Sequence, residues 1–263
     1  MVTEDRDTAF DGSSKADNPL REETRIRVPL LTVDARLTER IGVEVAASIP
    51  DITRTAVLAH ASGTTNYSET FAGLGDTSVL GWFKFAPIHR WYVVANVGAS
   101  LPTGKTEVPK FQSELSEGNL VPTSRLQRGS GTFDPLFGVS AFRSFAVDVF
   151  GNFAARTTLA ENSTGLRTGA SWETNGGIAH EIGTHRVSAF GRVALLHREQ
   201  DAFNGTPVLV GGGNWLYLTP GVAAQVGKGI NVQAEVKLPV YRSLANKQLD
   251  SRAVFQFGIS RAF

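Results

Sequence analysis

The 263-residue chain has no cysteine, which excludes disulfides, thiolate nucleophiles and cysteine-held zinc or iron–sulfur centres. It also lacks a dominant charge: 26 Lys and Arg stand against 25 Asp and Glu, a formal +1. That balance creates no general field for a polyanion, so no nucleic-acid partner is expected. No apolar run approaches the roughly 18 residues of a membrane-spanning helix. Spanning β-strands stay open, because only alternate residues of such a strand meet lipid.

Helical periodicity is nearly absent, and strict alternation takes its place. In 230–240, Ile230, Val232, Ala234, Val236, Leu238 and Val240 share one face, while Asn231, Gln233, Glu235 and Lys237 share the other. The end of the chain repeats this with Phe255, Phe257, Ile259 and Phe263 opposite Gln256, Gly258 and Ser260. Val147, Val149 and Phe153 likewise oppose Asp148, Asn152 and Arg156, and Trp91, Val93 and Val97 oppose Tyr92 and Asn96. Eleven such segments are predicted, near 25–37, 41–55, 74–87, 91–103, 132–144, 146–160, 167–182, 186–199, 211–226, 229–242 and 252–263. An even count is the norm for bacterial single-chain barrels, which brings the expectation to about 12, with the N-terminal segment a source for the twelfth.

Short turns at 38–40, 88–90, around 145, 183–185 and 227–229 alternate with longer connections at 56–73, 104–131, 160–166, 200–210 and 243–251. Short periplasmic turns and long extracellular loops are the asymmetry of an outer-membrane barrel. Residues 1–24 are polar and charged, with no basic-then-apolar run, so no export signal is legible and the segment reads as an N-terminal arm beside a barrel of residues 25–263.

Alternation alone does not say which face is inside, since a soluble barrel would show it too. Three features favour the membrane. The segments exceed the usual five or six residues of a globular strand. Their apolar faces carry many small residues, which suits lipid better than a close-packed core. Aromatics near strand ends, Phe85, Trp91, Trp215 and Phe263, suit interfacial girdles. The expected fold is therefore all-β, a single antiparallel up-and-down transmembrane barrel.

Several motifs carry a resemblance: Gly73-Leu74-Gly75-Asp76-Thr77, Leu101-Pro102-Thr103-Gly104-Lys105, Gly129-Ser130-Gly131-Thr132-Phe133-Asp134-Pro135, Leu238-Pro239-Val240-Tyr241 and the terminal Phe263. In this order the chain resembles the phenol-degradation-pathway (MetA-pathway) type of outer-membrane barrels, a transporter family. The resemblance implies a Gram-negative outer-membrane barrel that takes up hydrophobic or aromatic small molecules. It also implies recognition of Phe263 by the barrel-assembly machinery, although Arg261 interrupts the apolar alternation before it.

Catalytic motifs are weak. Gly104-Lys105-Thr106 resembles the tail of a phosphate loop, but Ala99 stands where that motif needs glycine, and Pro109 follows too closely for a helix. Gly211-Gly212-Gly213 lacks the strand–turn–helix context of a dinucleotide site. His60, His89, His180, His185 and His197 lack metal-ligand spacing. No motif supports Ser171 or Ser188 acting with His180, so no enzyme activity, metal or cofactor is expected.

The charged face is then the candidate site. An Arg or Lys facing lipid at the midplane costs about 2–4 kcal/mol. This places Asp34, Arg36, Glu44, Lys84, Asn96, Asp134, Asp148, Asn152, Arg156, Glu173, Arg192, Asn231, Gln233, Glu235, Lys237 and Gln256 in the lumen. Two readings follow: a channel for passive uptake of small solutes, or a closed structural or interaction barrel filled by a charge network and acting through its loops. A soluble ligand-binding barrel is a third. The partners expected are outer-membrane lipid and lipopolysaccharide, the assembly machinery and a small solute.

Overall fold

Two prolines interrupt stretches that alternation alone reads as unbroken strands. The computed structural model describes residues 1–19, 21–60, 63–87, 89–106, 126–183, 186–208, 211–227 and 229–262. Among these are nineteen strands and no α-helix. The chain opens with β1 (Val2–Asp11), β2 (Ser14–Lys15), β3 (Glu23–Val28), β4 (Leu30–Arg36), β5 (Ile41–Ser48), β6 (Asp51–His60), β7 (Gly63–Ala72) and β8 (Thr77–Lys84). It continues through β9 (Tyr92–Leu101), β10 (Asp134–Arg143), β11 (Asp148–Arg156), β12 (Leu166–Arg167), β13 (Ser171–Ile182) and β14 (Val187–Arg198). β15 (Ala202–Phe203), β16 (Thr206–Pro207), β17 (Gly213–Gly227), β18 (Ile230–Leu244) and β19 (Gln248–Arg261) complete it.

Sixteen strands form one sheet, in the order β4-β5-β8-β9-β10-β11-β13-β14-β17-β18-β19-β1-β3-β6-β7 with β2 on β1, and every pair in it is antiparallel. β12, β15 and β16 make a separate three-stranded sheet within the longer connections. The breaks lie at Pro29, between β3 and β4, and at Pro50, between β5 and β6. A proline has no N–H for the ladder. Register nevertheless carries through, because Arg27↔Asp51 on one side of the break resumes as Leu30↔Ser48 on the other. Residues 73–76 part β7 from β8 in the same way, and Asp51↔Ala72 passes to Ala47↔Thr77 with one residue added.

Three expectations are corrected. Val2–Asp11 is not a free arm: it lies between β19 and β3, with Val2 opposite both Gln256 and Val28. The stretch 56–73, expected as a loop, is the end of β6 and the whole of β7. β7 reads GTTNYSETFA, with too few apolar residues to announce a strand. The connection expected at 243–251 is only 245–247, because β18 and β19 extend further than the apolar alternation does. The short turns at 37–40 and 144–147 lie where the sequence places them, and Gly183, directly after β13, takes φ +65, which suits glycine.

Candidate functional site, a concave polar face

Directly opposed residues of an antiparallel pair share a face of the sheet, so the pairing register carries that face from strand to strand. Asp34 opposes Glu44, Glu44 opposes Leu80, Leu80 opposes Gly98, and Gly98 opposes Leu136. Leu136 then opposes Arg156, Arg156 opposes Ser171, and Ser171 opposes Arg198. Further on, Arg192 opposes Thr219, Gly221 opposes Glu235, Glu235 opposes Gln256, and Gln256 opposes Val2. The sixteen residues singled out from the sequence all belong to this one face.

That face is concave. Lys237 on β18 donates to Glu173 on β13 at 2.7 Å, across the intervening β17 and β14. With strands about 4.8 Å apart, three spacings put the two backbones roughly 14 Å apart on a flat sheet; inward curvature brings the side chains together. Arg192 on β14 likewise reaches Glu235 on β18 at 2.5 Å, and Gln233 Nε2 donates to the same carboxylate at 3.3 Å. Lys237 Nζ also sits 4.3 Å above the Tyr217 ring. The opposite, convex face exposes Val33, Val97, Phe137, Val193, Leu218, Val222, Phe255 and Ile259. Their spread over most of the sheet far exceeds the scattered apolar exposure of a soluble surface.

The remaining candidates take definite places. Asp34 accepts Trp82 Nε1–H at 2.8 Å, Lys84 Nζ lies 5.2 Å from the Tyr92 ring, and Asn152 donates to Ser140 Oγ at 2.9 Å. Asp148 accepts from Ser144 Oγ at 2.5 Å beside a short turn. Arg36 opposes Gly42, Asn96 opposes both Trp82 and Gly138, and Asn231 opposes Ser260. Glu235 pairs with Arg192 rather than with its near neighbour Lys237, and Arg156 with Asp134 rather than Asp148.

The face is not uniformly polar. Toward the long connections, Phe10, Ala194, Trp215, Tyr217 and Leu244 form an apolar cluster. Trp215 is therefore no girdle residue: it is 3% exposed, and its indole N–H donates to Asp250 at 2.9 Å. Of the 104–131 charges, Glu107, Lys110, Glu114, Glu117 and Arg125 lie outside the described residues, as do His185 and Phe263.

Sequence reasoning missed a cavity of about 380 Å³ at this end, lined by Arg128, Arg156, Arg198, Asp76 and a set of hydroxyls including Ser48, Ser100, Ser130 and Ser171. Three of the sequence motifs meet at its edge. Asp76 Oδ2 accepts the Ser130 backbone N–H at 2.7 Å and its hydroxyl at 2.9 Å, and Oδ1 accepts the Gly104 N–H at 3.1 Å. Thr103 Oγ1 donates to Gly75 O at 2.9 Å. The only forewarning was the order of the motifs, since nothing in their spacing says that they touch. Elsewhere on the sheet a buried cluster joins Arg54 to Glu22 at 3.3 Å and Glu69 at 3.4 Å.

No protein-family model and no curated relative matches the sequence. Solved structures do match. The COG4313 outer membrane channel from Pseudomonas putida F1 superposes with a TM-score of 0.68 at 12% identity, over 98% of this chain and 91% of that one. The β domain of the Bordetella autotransporter BrkA does so at 0.50 and 12% identity, over 100% and 98%. At such identities the likeness establishes the fold, that of an outer-membrane β-barrel.

Proposed function

We propose that the protein is a Gram-negative outer-membrane channel for the passive passage of small solutes. The observation that carries this reading is the pairing of a concave polar face with a convex apolar one. A membrane barrel needs apolar side chains toward lipid and tolerates charge only in its lumen. The sixteen candidate residues then line the lumen, and the convex face meets lipid and lipopolysaccharide. A 12-stranded count follows if β3–β4, β5–β6 and β7–β8 are each one interrupted span. Those three, with β9, β10, β11, β13, β14, β17, β18, β19 and β1, total twelve, and β1 between β19 and β3 joins the ends. The family resemblance adds hydrophobic or aromatic solutes as cargo, and delivery to the assembly machinery through Phe263. No catalytic step is assigned.

A second reading has its own support. The Arg192–Glu235 and Lys237–Glu173 pairs cross the concavity, as a closed structural barrel would require. Single-channel recording of the detergent-folded chain in a planar bilayer separates the two. Steady conductance sustains the channel; clean insertion without conductance sustains the closed barrel.

A further inference from the structure

The barrel wall is one strand short along part of a single seam. β1 fills the space between β19 and β3 as far as Met1, whose N donates to Phe257 O at 2.6 Å while Phe257 N donates to Met1 O at 2.9 Å. Past that point β19 runs on through Ile259, and β4 takes over from β3 across the Pro29 break. Among the described residues β4 pairs only with β5, and β19 only with β18 and β1. Two strands that flank a missing third stand about 10 Å apart. Burial agrees: all 7 residues of β4 are exposed, and so is β19 from Phe257 to Arg261. Exposure there covers both faces, Thr32, Asp34, Gly258 and Ser260 on the concave side and Leu31, Val33 and Ile259 on the convex one. A Cβ built on Gly258 would have nothing within 4 Å.

The backbone identifies the groups left over. Ile49 N donates to Pro29 O and Leu37 N to Ile41 O, both at 2.9 Å. In an antiparallel pair the residues that exchange hydrogen bonds alternate, so Leu31, Val33 and Ala35 turn their N–H and C=O toward β5. Leu30, Thr32, Asp34 and Arg36 turn theirs toward the gap. On the other flank Met1 and Phe257 are a bonded pair, so Ile259, two residues on, also faces the gap. A bilayer core offers such groups no partner, and open sheet edges do not stand in hydrocarbon.

We propose that this gap is a slot for one further stretch of strand, about seven residues of polypeptide joined to Met1 and continuing β1 toward the short-turn end of the barrel. Register selects this occupant. With Val2 opposite both Gln256 and Val28, a chain continuing from Met1 meets Leu30 with its first residue, Ile259 with its second, Thr32 with its third and Asp34 with its fifth. Each of these is a bonded pair, so successive residues turn their N–H and C=O to alternate flanks, as an inner strand must. The second, fourth and sixth residues fall beside Leu31, Val33 and Ile259 on the convex face, which calls for apolar side chains. The first, third and fifth fall beside Thr32, Asp34, Gly258 and Ser260 in the lumen, which calls for small or polar ones. The slot is a property of the wall, and stands or falls apart from conduction through the lumen.

Because the chain has no cysteine, engineered thiols report on the gap directly in the detergent-folded protein. Thr32→Cys with Ser260→Cys puts one thiol on each flank, and a strand's width between them should prevent a disulfide. Ready oxidation of that pair would mean that β4 and β19 pair directly, and would overturn the proposal. Amide exchange gives a second reading without any substitution. Leu30, Thr32, Asp34 and Arg36 should exchange at least about tenfold faster than Leu31, Val33 and Ala35; equal rates would count against a bare edge. The probe for the slot is a seven-residue extension placed before Met1, with valine or leucine at the even places counted back from Met1 and serine or threonine at the odd ones. It should slow the fast amides about tenfold. A cysteine at its second place should cross-link to Leu31→Cys, and one at its third place should not. The same extension shifted in phase by one residue should protect and cross-link far less. Indifference to phase would overturn the proposal, and a free peptide of the same sequence that cross-linked as completely as the joined one would assign the slot to a separate chain instead.

Discussion

Asp76 and Ser130, 54 residues apart, are joined by two hydrogen bonds to a single carboxylate oxygen, from the serine's backbone N–H at 2.7 Å and its hydroxyl at 2.9 Å. With Gly104 on the other oxygen, this one side chain ties the 73–76 break to both ends of the long 102–133 connection. It fixes where that connection leaves and rejoins the barrel, and so the shape of the cavity beneath.

Asp76→Ala should therefore cost about 2–4 kcal/mol, since it strands three donors that now share an ionised acceptor. Asp76→Asn keeps acceptor capacity on one oxygen and should lose less. Urea unfolding of the two variants in detergent, followed by tryptophan fluorescence, measures the difference; equal stability of Asp76→Ala and the parent would remove this anchor.

The same junction demands close backbone contact. A Cβ built on Gly104 would stand 2.7 Å from Gly129 Cα and 2.9 Å from Gly75 C, so Gly104→Ala is expected to destabilise by about 1–3 kcal/mol through overpacking. At Gly258 nothing lies within 4 Å of such an atom and φ is not in the left-handed region. Gly258→Ala is the matched control, expected to shift the unfolding midpoint little.

The two faces of the sheet should respond oppositely to charge. Val193 is 50% exposed on the convex face, mid-strand and opposite Leu218, and Val193→Arg should cost up to about 2–4 kcal/mol on folding into a bilayer. Gln233, on the concave face opposite Ala223, should accept Arg with little loss. A folding assay into lipid vesicles that scored the two substitutions alike would invert the facing.

The Lys237–Glu173 pair invites a double-mutant cycle. Lys237→Met and Glu173→Gln together should show a coupling of about 1 kcal/mol relative to the single changes. If the lumen conducts, clearing this bridge should also raise single-channel conductance. Unchanged conductance in a conducting, well-folded double variant would place the bridge away from the narrowest point.

Glu235 is a different case. It is 5% exposed and meets Arg192, so Glu235→Leu should cost about 3–5 kcal/mol by leaving a guanidinium without its counter-charge. Sequence alone treats Glu235 and Lys237 as equivalent polar positions two residues apart. Thermal stability of Glu235→Leu beside Gln233→Leu, which leaves that ion pair intact, would reveal their inequality.

Alternation of apolar and polar residues was enough to place most strands, their short turns and the face on which each candidate lies, because the side-chain period of a strand is two wherever it runs. It identified Asp34, Glu44, Arg156, Glu173 and Glu235 as sharing one side without any knowledge of the pairing. It failed at β7 and β1, whose sequences carry no alternating apolar residues. Partner choice was equally out of reach. That Glu173 meets Lys237, that Arg192 meets Glu235, and that Asp76 gathers Gly104 and Ser130 depend on curvature and on loops returning across the barrel end. Local periodicity says which way a side chain points, whereas the distance between two inward-pointing groups is set by how the whole sheet bends, and only the tertiary structure contains that.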